Sequence, residues 1–194
     1  MAHATVIALA IMALVVMAVA CERTPPEPDG SLREAVAADD RTAVRGHIHW
    51  HPDTIDDRDR NGETVLHESA RLGHRRITRL LIDAGADVNA ASRFSETPLF
   101  HASAEGHARI VGDLLAHGGD HTVENIYGET ALHHAARHGH LDATRALIDA
   151  GADPFNTDQD GLRPYDRARQ NEFDEVEAYL ADVMGLDEDE DEHN

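Results

Sequence analysis

The stretch ETALHHAARHGH, residues 129–140, has two counterparts earlier in the chain, ETVLHESARLGH at 63–74 and ETPLFHASAEGH at 96–107. The three stretches begin 33 residues apart. A later glycine keeps the same step, at Gly85, Gly118 and Gly151. Because independent markers share one period without an insertion, the sequence predicts an array of repeated units.

Each unit is expected to contain two helices. Thr64, like its counterparts, stands where a first helix would begin, and its hydroxyl is suited to accept from early backbone N–H groups. Leu66 and the small residues that follow it predict the side that packs on neighbouring units. Gly73 is placed to end the first helix and Gly85 the second, because glycine adopts left-handed conformations at low cost. One unit cannot bury its apolar side alone, so stacking is expected to supply the stability.

The repeated stretches resemble the ankyrin repeat. The family's TPLHxA stands here as TVLHES (64–69), TPLFHA (97–102) and TALHHA (130–135), and its second helix and loop as RLLIDAGADVNA (79–90), GDLLAHGGDHTV (112–123) and RALIDAGADPFN (145–156). The resemblance extends over about residues 29–184 and implies an all-α solenoid of stacked helix-turn-helix units with β-turn tips. Phe100 departs from the pattern, since the family places histidine there.

The period also divides the chain. We expect a repeat domain at 29–186, composed of an N-terminal cap (29–57), three full units (58–90, 91–123 and 124–156) and a C-terminal cap (157–186). A Pro-rich linker is expected at 22–28 and an acidic tail at 187–194. The run DEDEDE in the tail repels itself, which predicts disorder. In the C-terminal cap Glu172 stands where glycine is expected, a departure acceptable in a terminal unit.

The N-terminal segment reads as an export signal. Residues 4–20 are uncharged and mostly apolar, and they are followed by Cys21, the only cysteine of the chain. MAVAC, residues 17–21, resembles the lipobox of bacterial lipoproteins, although that family prefers leucine at the position of Ala18. The resemblance implies a signal peptide at 1–21, lipid attachment at Cys21 and a location on the periplasmic side of a bacterial membrane. Cleavage after Ala20 to give a soluble exported protein and an uncleaved membrane anchor remain as alternatives.

The charge of the chain argues against several functions. The formal net charge is −20, and all 17 basic residues are arginine. Such a chain is a poor ligand for nucleic acid, because duplex binding depends on cations that meet phosphates. A basic partner, or solubility alone, fits better. Since no nucleophile with a base, phosphate-binding glycine loop or paired carboxylate site is present, neither enzymatic activity nor a cofactor is predicted.

The histidines raise the possibility of a metal site. His134 and His138 are four residues apart and would share one side of a helix, as zinc ligands do, and His101 lies one repeat earlier. No further ligand is fixed by spacing, so we predict exposed helix histidines and no metal site. A metal-responsive or pH-responsive protein that uses these side chains, with His47 and His51 of the cap, is the alternative hypothesis. The resemblance assigns His67, His133 and the Gly-His histidines to the scaffold.

The family resemblance implies a protein-binding function through the concave face, which the tips and first helices form. Mapping the family's binding positions gives Arg60, Asn61, Glu63, Arg71, Leu72, Arg93, Phe94, Glu96, Glu105, Ile126, Tyr127, Glu129, Arg137 and His138. Exposed aromatic residues beside arginines are typical of interface anchors. We therefore expect Phe94 and Tyr127 to form a binding hot spot, with arginines at its rim, in a monomer that binds another protein. A secreted effector is a further alternative.

Overall fold

The computed structural model describes residues 25 and 27–186. Within these residues the chain forms ten α-helices, a 3₁₀ turn at Pro52–Thr54 and no strand. The helices are α1 (Leu32–Ala37), α2 (Arg41–Trp50), α3 (Val65–Arg71), α4 (Arg75–Asp83), α5 (Pro98–Ala104), α6 (Ala108–Ala116), α7 (Ala131–Arg137), α8 (Leu141–Asp149), α9 (Pro164–Gln170) and α10 (Asp174–Met184). The predicted signal segment with Cys21, most of the predicted linker and the acidic tail lie outside the described residues.

The helices form two layers. The first helices of successive pairs contact one another in chain order, α1 to α3, α5, α7 and α9, and the second helices α2, α4, α6, α8 and α10 do the same. Each predicted unit and each predicted cap contains one helix pair. This stack confirms the predicted all-α solenoid. Among the described helices, none combines the length and the apolar character that crossing a membrane would require.

The first helices begin where threonine was expected to cap them. Thr64 and Thr130 have an extended backbone, and each N–H donates to the Nδ1 atom of the histidine three residues later at 3.1 Å. The Nε2 atoms of these histidines then donate to backbone oxygens of the following unit, from His67 to Glu96 at 3.1 Å and from His133 to Leu162 at 3.1 Å. The expected scaffold role of both histidines is confirmed, because each one links two units.

The glycines after the first helices have two functions. Gly73 has a φ of 75°, as its counterparts Gly106 and Gly139 also have left-handed values. A Cβ atom on Gly73 would lie 2.6 Å from the ring of His107, and one on Gly106 would lie 2.5 Å from the ring of His140. The histidine of each Gly-His pair therefore packs on the glycine of the preceding unit, which explains why both residues keep the 33-residue period.

The core runs continuously between the layers. Leu66, Leu99 and Leu132 are fully or almost fully buried, and one apolar cluster extends from Leu32 to Ala152. Small side chains such as Ala102 occupy the buried positions between the helices. Because each of these residues contacts a neighbouring unit, burial depends on stacking rather than on any one pair of helices.

The caps keep the fold but change its side chains. Asp39 and Glu172 have φ values of 53° and 61° where the full units have glycine. Glu172 was identified from the sequence as a departure, whereas Asp39 was not. In α1, Arg33 donates to the backbone oxygen of Glu63 at 2.8 Å, which is the link that His67 makes one unit later. The Trp50 indole donates to the Pro25 oxygen at 3.1 Å, which holds that residue against the N-terminal cap.

Candidate partner-binding face

Each unit begins with a four-residue β-turn, and we call the turns at 59–62, 92–95, 125–128 and 158–161 the tips. In every tip the side chain of the first residue accepts from two backbone N–H groups, as Asn125 Oδ1 does from Tyr127 at 2.9 Å and Glu129 at 3.0 Å. The third turn, for example, is closed by the hydrogen bond from the Gly128 N–H to the Asn125 oxygen at 2.9 Å. Side chain and backbone thus fix the conformation of each tip.

Backbone hydrogen bonds also join each tip to the next. The N–H of Arg93 donates to Asn61 at 2.9 Å, that of Ile126 to Phe94 at 3.0 Å and that of Gln159 to Tyr127 at 3.0 Å. These pairs occupy equivalent positions one period apart. The tips therefore form one continuous, mutually supported edge of the solenoid, and side chains on this edge are held in a fixed order.

Several apolar side chains on this edge are exposed. The exposed fractions are 44% for Phe94, 45% for Ile126, 55% for Tyr127 and 37% for Leu72. Phe94 and Tyr127 occupy the same position of successive tips, which places them one repeat apart on one edge. The sequence-based expectation that both aromatic rings are accessible is confirmed, and a partner that lies along the tips would meet both.

The arginines predicted around these rings have different surroundings. Arg60, Arg71 and Arg93 are exposed and form no ion pair with the described carboxylates. Arg137 instead lies 2.8 Å from the Glu129 carboxylate. Asn61, Glu105 and His138 are exposed at the positions that the sequence predicted. Three of the four rim arginines are therefore free to meet a partner, and the fourth is engaged within the protein.

A charged row lies beneath the tips and was not predicted as a unit. It consists of Glu63, Glu96 and Glu129 at the ends of the tips and of Glu68, His101, His134 and Arg167 on the first helices. Members of each set stand 33 residues apart. The two sets alternate in space: His101 Nε2 lies 3.8 Å from Glu63 and 4.0 Å from Glu96, and His134 Nε2 lies 3.9 Å from Glu96. Stacking thus brings together charged and titratable side chains that are distant in the sequence.

The two ends of this row contain arginine. At the N-terminal end the Arg33 guanidinium lies 2.8 Å from the Glu68 carboxylate. At the other end the Arg167 guanidinium lies 2.6 Å from Asp158, 2.8 Å from Asp160 and 3.9 Å from Glu129. The middle of the row therefore contains imidazoles where its ends contain permanent cations.

Glu129 corrects one of the predicted binding residues. Its side chain was expected at an exposed tip, but the residue is only 4% exposed. Burial acts to raise the pKa of Glu129, yet hydrogen bonds from His134 and Asn125, with the charge of Arg137, outweigh it and lower the pKa to about 2. Because these neighbours enclose the carboxylate, Glu129 organises the face from within and is not presented to a partner.

His134 corrects a second expectation. It was predicted to be an exposed helix histidine like His138, but only 12% of its side chain is exposed and its Nε2 lies 3.1 Å from Glu129. The ring centroids of His134 and His138 are 6.4 Å apart, and Glu96 lies between His134 and His101. Within residues 27–186 no group of three or more His, Cys, Asp or Glu side chains is arranged to hold a metal ion.

A cleft opens between the third and fourth tips. It has a volume of about 390 Å³. Its walls are formed by Glu96, Tyr127, Glu129, His134, Arg137, Gln159, Asp160 and Arg167. The cleft thus connects the exposed edge, through Tyr127, to the middle of the charged row. The sequence signal for it is the residue after each TPLH motif together with the glutamate of each Glu-Thr pair, compared across units.

Comparison with known proteins gives a family match over most of the chain. A family model described as ankyrin repeats (3 copies) matches residues 32–125 and residues 99–189. These two matches overlap and together include every helix described above. A comparison with curated proteins finds no match.

Proposed function

Because this chain belongs to the ankyrin-repeat family, whose members are generally protein–protein interaction scaffolds and typically not enzymes, we propose that it binds one partner protein through its tips and first helices. The observation that carries the proposal is the exposed pair Phe94 and Tyr127 on an edge whose backbone is fixed by hydrogen bonds between units. Rigid aromatic side chains lose little conformational entropy on binding, which makes them effective anchors.

The charges around these rings support the same face. Arg60, Arg71 and Arg93 surround the exposed edge without ion pairs of their own, whereas the described remainder of the chain is strongly acidic. Unpaired arginine beside exposed aromatic residues is the composition that protein interfaces favour. Polar groups at the rim then determine which partner is accepted.

We further propose that the partner is met at the bacterial cell envelope, with the protein tethered by lipid on Cys21 and exported through the segment at 1–20. The apolar segment and the lipobox-like MAVAC support this location. A lone cysteine in an exported protein is otherwise a free thiol, which lipid attachment would remove. Metabolic labelling with a fatty-acid probe tests the tether. Label is expected on the native chain and absent from Cys21→Ser, and equal labelling of both would reject it.

Partner capture tests the binding face. The full chain, purified in detergent, is used as bait for a membrane extract beside the Phe94→Ala/Tyr127→Ala double variant. We expect the captured partner to bind the double variant with a loss of roughly 2–4 kcal/mol, since hot-spot aromatic residues contribute on that scale. The matched control is Phe155→Ala, because Phe155 is also 55% exposed but lies in the loop after α8, outside the tips. Equal loss in the control, or none in the double variant, would reject this face.

A further inference from the structure

Three equivalent glutamates of the charged row have unequal counter-charges. Glu129 lies 2.8 Å from Arg137 and 3.9 Å from Arg167. Glu63 and Glu96 have no arginine side chain of the described residues within 4.0 Å of their carboxylates. Their nearest basic groups are imidazoles. The second glutamate is thus built like the third but lacks the cation that neutralises it.

The neighbouring imidazole is a weak counter-ion for Glu96. His101 is 15% exposed at its side chain, and its Nε2 forms no hydrogen bond with the described protein. Burial lowers the pKa of His101, with Arg71 and His134 acting in the same direction and Glu63 and Glu96 against it. The Glu96 carboxylate also accepts one long hydrogen bond from the Asn125 amide at 3.3 Å. A partly buried carboxylate therefore stands near a largely neutral ring, which favours the arrival of an external cation.

The cleft described above gives a ligand access to Glu96. Tyr127 presents a half-exposed aromatic ring at its wall, and Gln159 contributes an amide. Carboxylate and aromatic ring are the two groups that bind a guanidinium, by paired hydrogen bonds and by stacking. The arginines that also line the cleft, Arg137 and Arg167, are already neutralised by Glu129 and by the aspartates of the last tip. They therefore oppose a further cation only weakly.

We propose that this cleft binds one arginine side chain of the partner protein, with its guanidinium paired to Glu96 and stacked on Tyr127. The inference rests on the proposed protein-binding function and adds the chemistry of the contact. The net charge of −20 attracts a basic partner at long range, and the cleft then selects the planar cation at contact distance. Lysine pairs with a carboxylate as a point charge and stacks less well, so it is the weaker ligand.

Three small peptides separate these interactions. The full chain in detergent is titrated with acetyl-Gly-Arg-Gly-amide, with the lysine analogue and with the citrulline analogue, and the amide shifts of Tyr127 and Gln159 are followed by NMR. The arginine peptide is expected to bind with a Kd on the order of 1 mM, as one buried side chain allows. The citrulline peptide has the same shape without the charge, so its Kd should be at least tenfold higher. Equal affinity for the arginine and citrulline peptides would overturn the proposal.

Two variants locate the contact. Glu96→Gln should raise the Kd of the arginine peptide at least tenfold, whereas Glu175→Gln removes the same charge from an exposed position on α10 and should leave it unchanged. Ala104→Arg places a guanidinium where Arg137 stands in the next unit, and it should also abolish peptide binding. An unchanged Kd in Glu96→Gln, or equal loss in Glu175→Gln, counts against the cleft. If a captured partner needs Phe94 and Tyr127 but is indifferent to Glu96→Gln, the binding face stands and only the arginine contact fails.

Discussion

The second unit (91–123) and the third unit (124–156) have the same backbone but different interiors. In both units the first helix has seven residues and the second has nine. The side chains differ at four equivalent positions. The pairs are Ser95 and Gly128, Phe100 and His133, Ala104 and Arg137, and Glu105 and His138. The third unit follows the repeat and neutralises its glutamate, whereas the second departs from it and leaves Glu96 available. Departures from local rules are expected at functional sites, and here they lie in the middle of the proposed face.

The largest expected effect comes from the buried ring that distinguishes the second unit. Phe100 is 1% exposed and meets the His134 ring edge to face at 5.3 Å between centroids. Phe100→Ala should lower the free energy of unfolding by about 3–5 kcal/mol, because the cavity cannot close between stacked helices. Urea unfolding followed by circular dichroism measures this change. Phe155→Ala is the exposed control, with a change expected within about 0.5 kcal/mol. A loss below about 1 kcal/mol for Phe100→Ala would mean that the ring is not part of the packing.

Acid should act on the units that contain histidine and not on the equivalent phenylalanine. Burial lowers the pKa of His67 to about 4, although the Glu96 backbone oxygen acts in the opposite direction. A histidine with a depressed folded pKa stabilises the fold above its unfolded pKa of about 6.5, and this contribution is lost as the pH falls toward 4. The loss amounts to about 3 kcal/mol for this residue.

The variant His67→Phe gives the first unit the residue that the second carries naturally. The variant binds one proton fewer on unfolding at pH 5. The slope of unfolding free energy against pH should therefore fall by about 1.4 kcal/mol per pH unit relative to the native chain. Urea unfolding at pH 4.5, 5 and 6 supplies the slope. If native and variant slopes coincide, His67 does not titrate as its burial requires.

The third prediction concerns the cation that the second unit lacks. Arg137→Ala removes the closest ion-pair partner of the buried Glu129, leaving a charge with fewer hydrogen bonds, and should cost about 1–3 kcal/mol of stability. Arg71→Ala alters the equivalent residue of the first unit, which is exposed and forms no ion pair with the described carboxylates. Its cost should stay within about 0.5 kcal/mol. Thermal unfolding of both variants decides the matter, and equal shifts in Tm would contradict the distinction drawn between the two positions.

The period predicts the helices because each unit repeats its own start, its buried leucine and its terminal glycine. The accessible rings of Phe94 and Tyr127 followed from the same period. The charged row did not, because its contacts join side chains of different units, as Glu63 and His101 show. His134 was misplaced for the same reason: its spacing to His138 was considered on one helix, while Glu129 and Glu96 reach it from the tips.

The smallest expected effect tests whether the second unit carries strain at its tip. Ser95 has a φ of 61° at the position where Gly128 has 74°. A side chain in this left-handed region costs energy that glycine avoids, so Ser95→Gly should raise the free energy of unfolding by about 0.5–1 kcal/mol, less the entropy that glycine adds to the unfolded chain. The reciprocal Gly128→Ser should lower stability by a similar amount, because a Cβ atom there would also lie 3.2 Å from the Gln159 nitrogen. Urea midpoints of the two variants should move in opposite directions. If both fall, the serine hydroxyl stabilises its own tip, and the second unit gains rather than loses by departing from glycine.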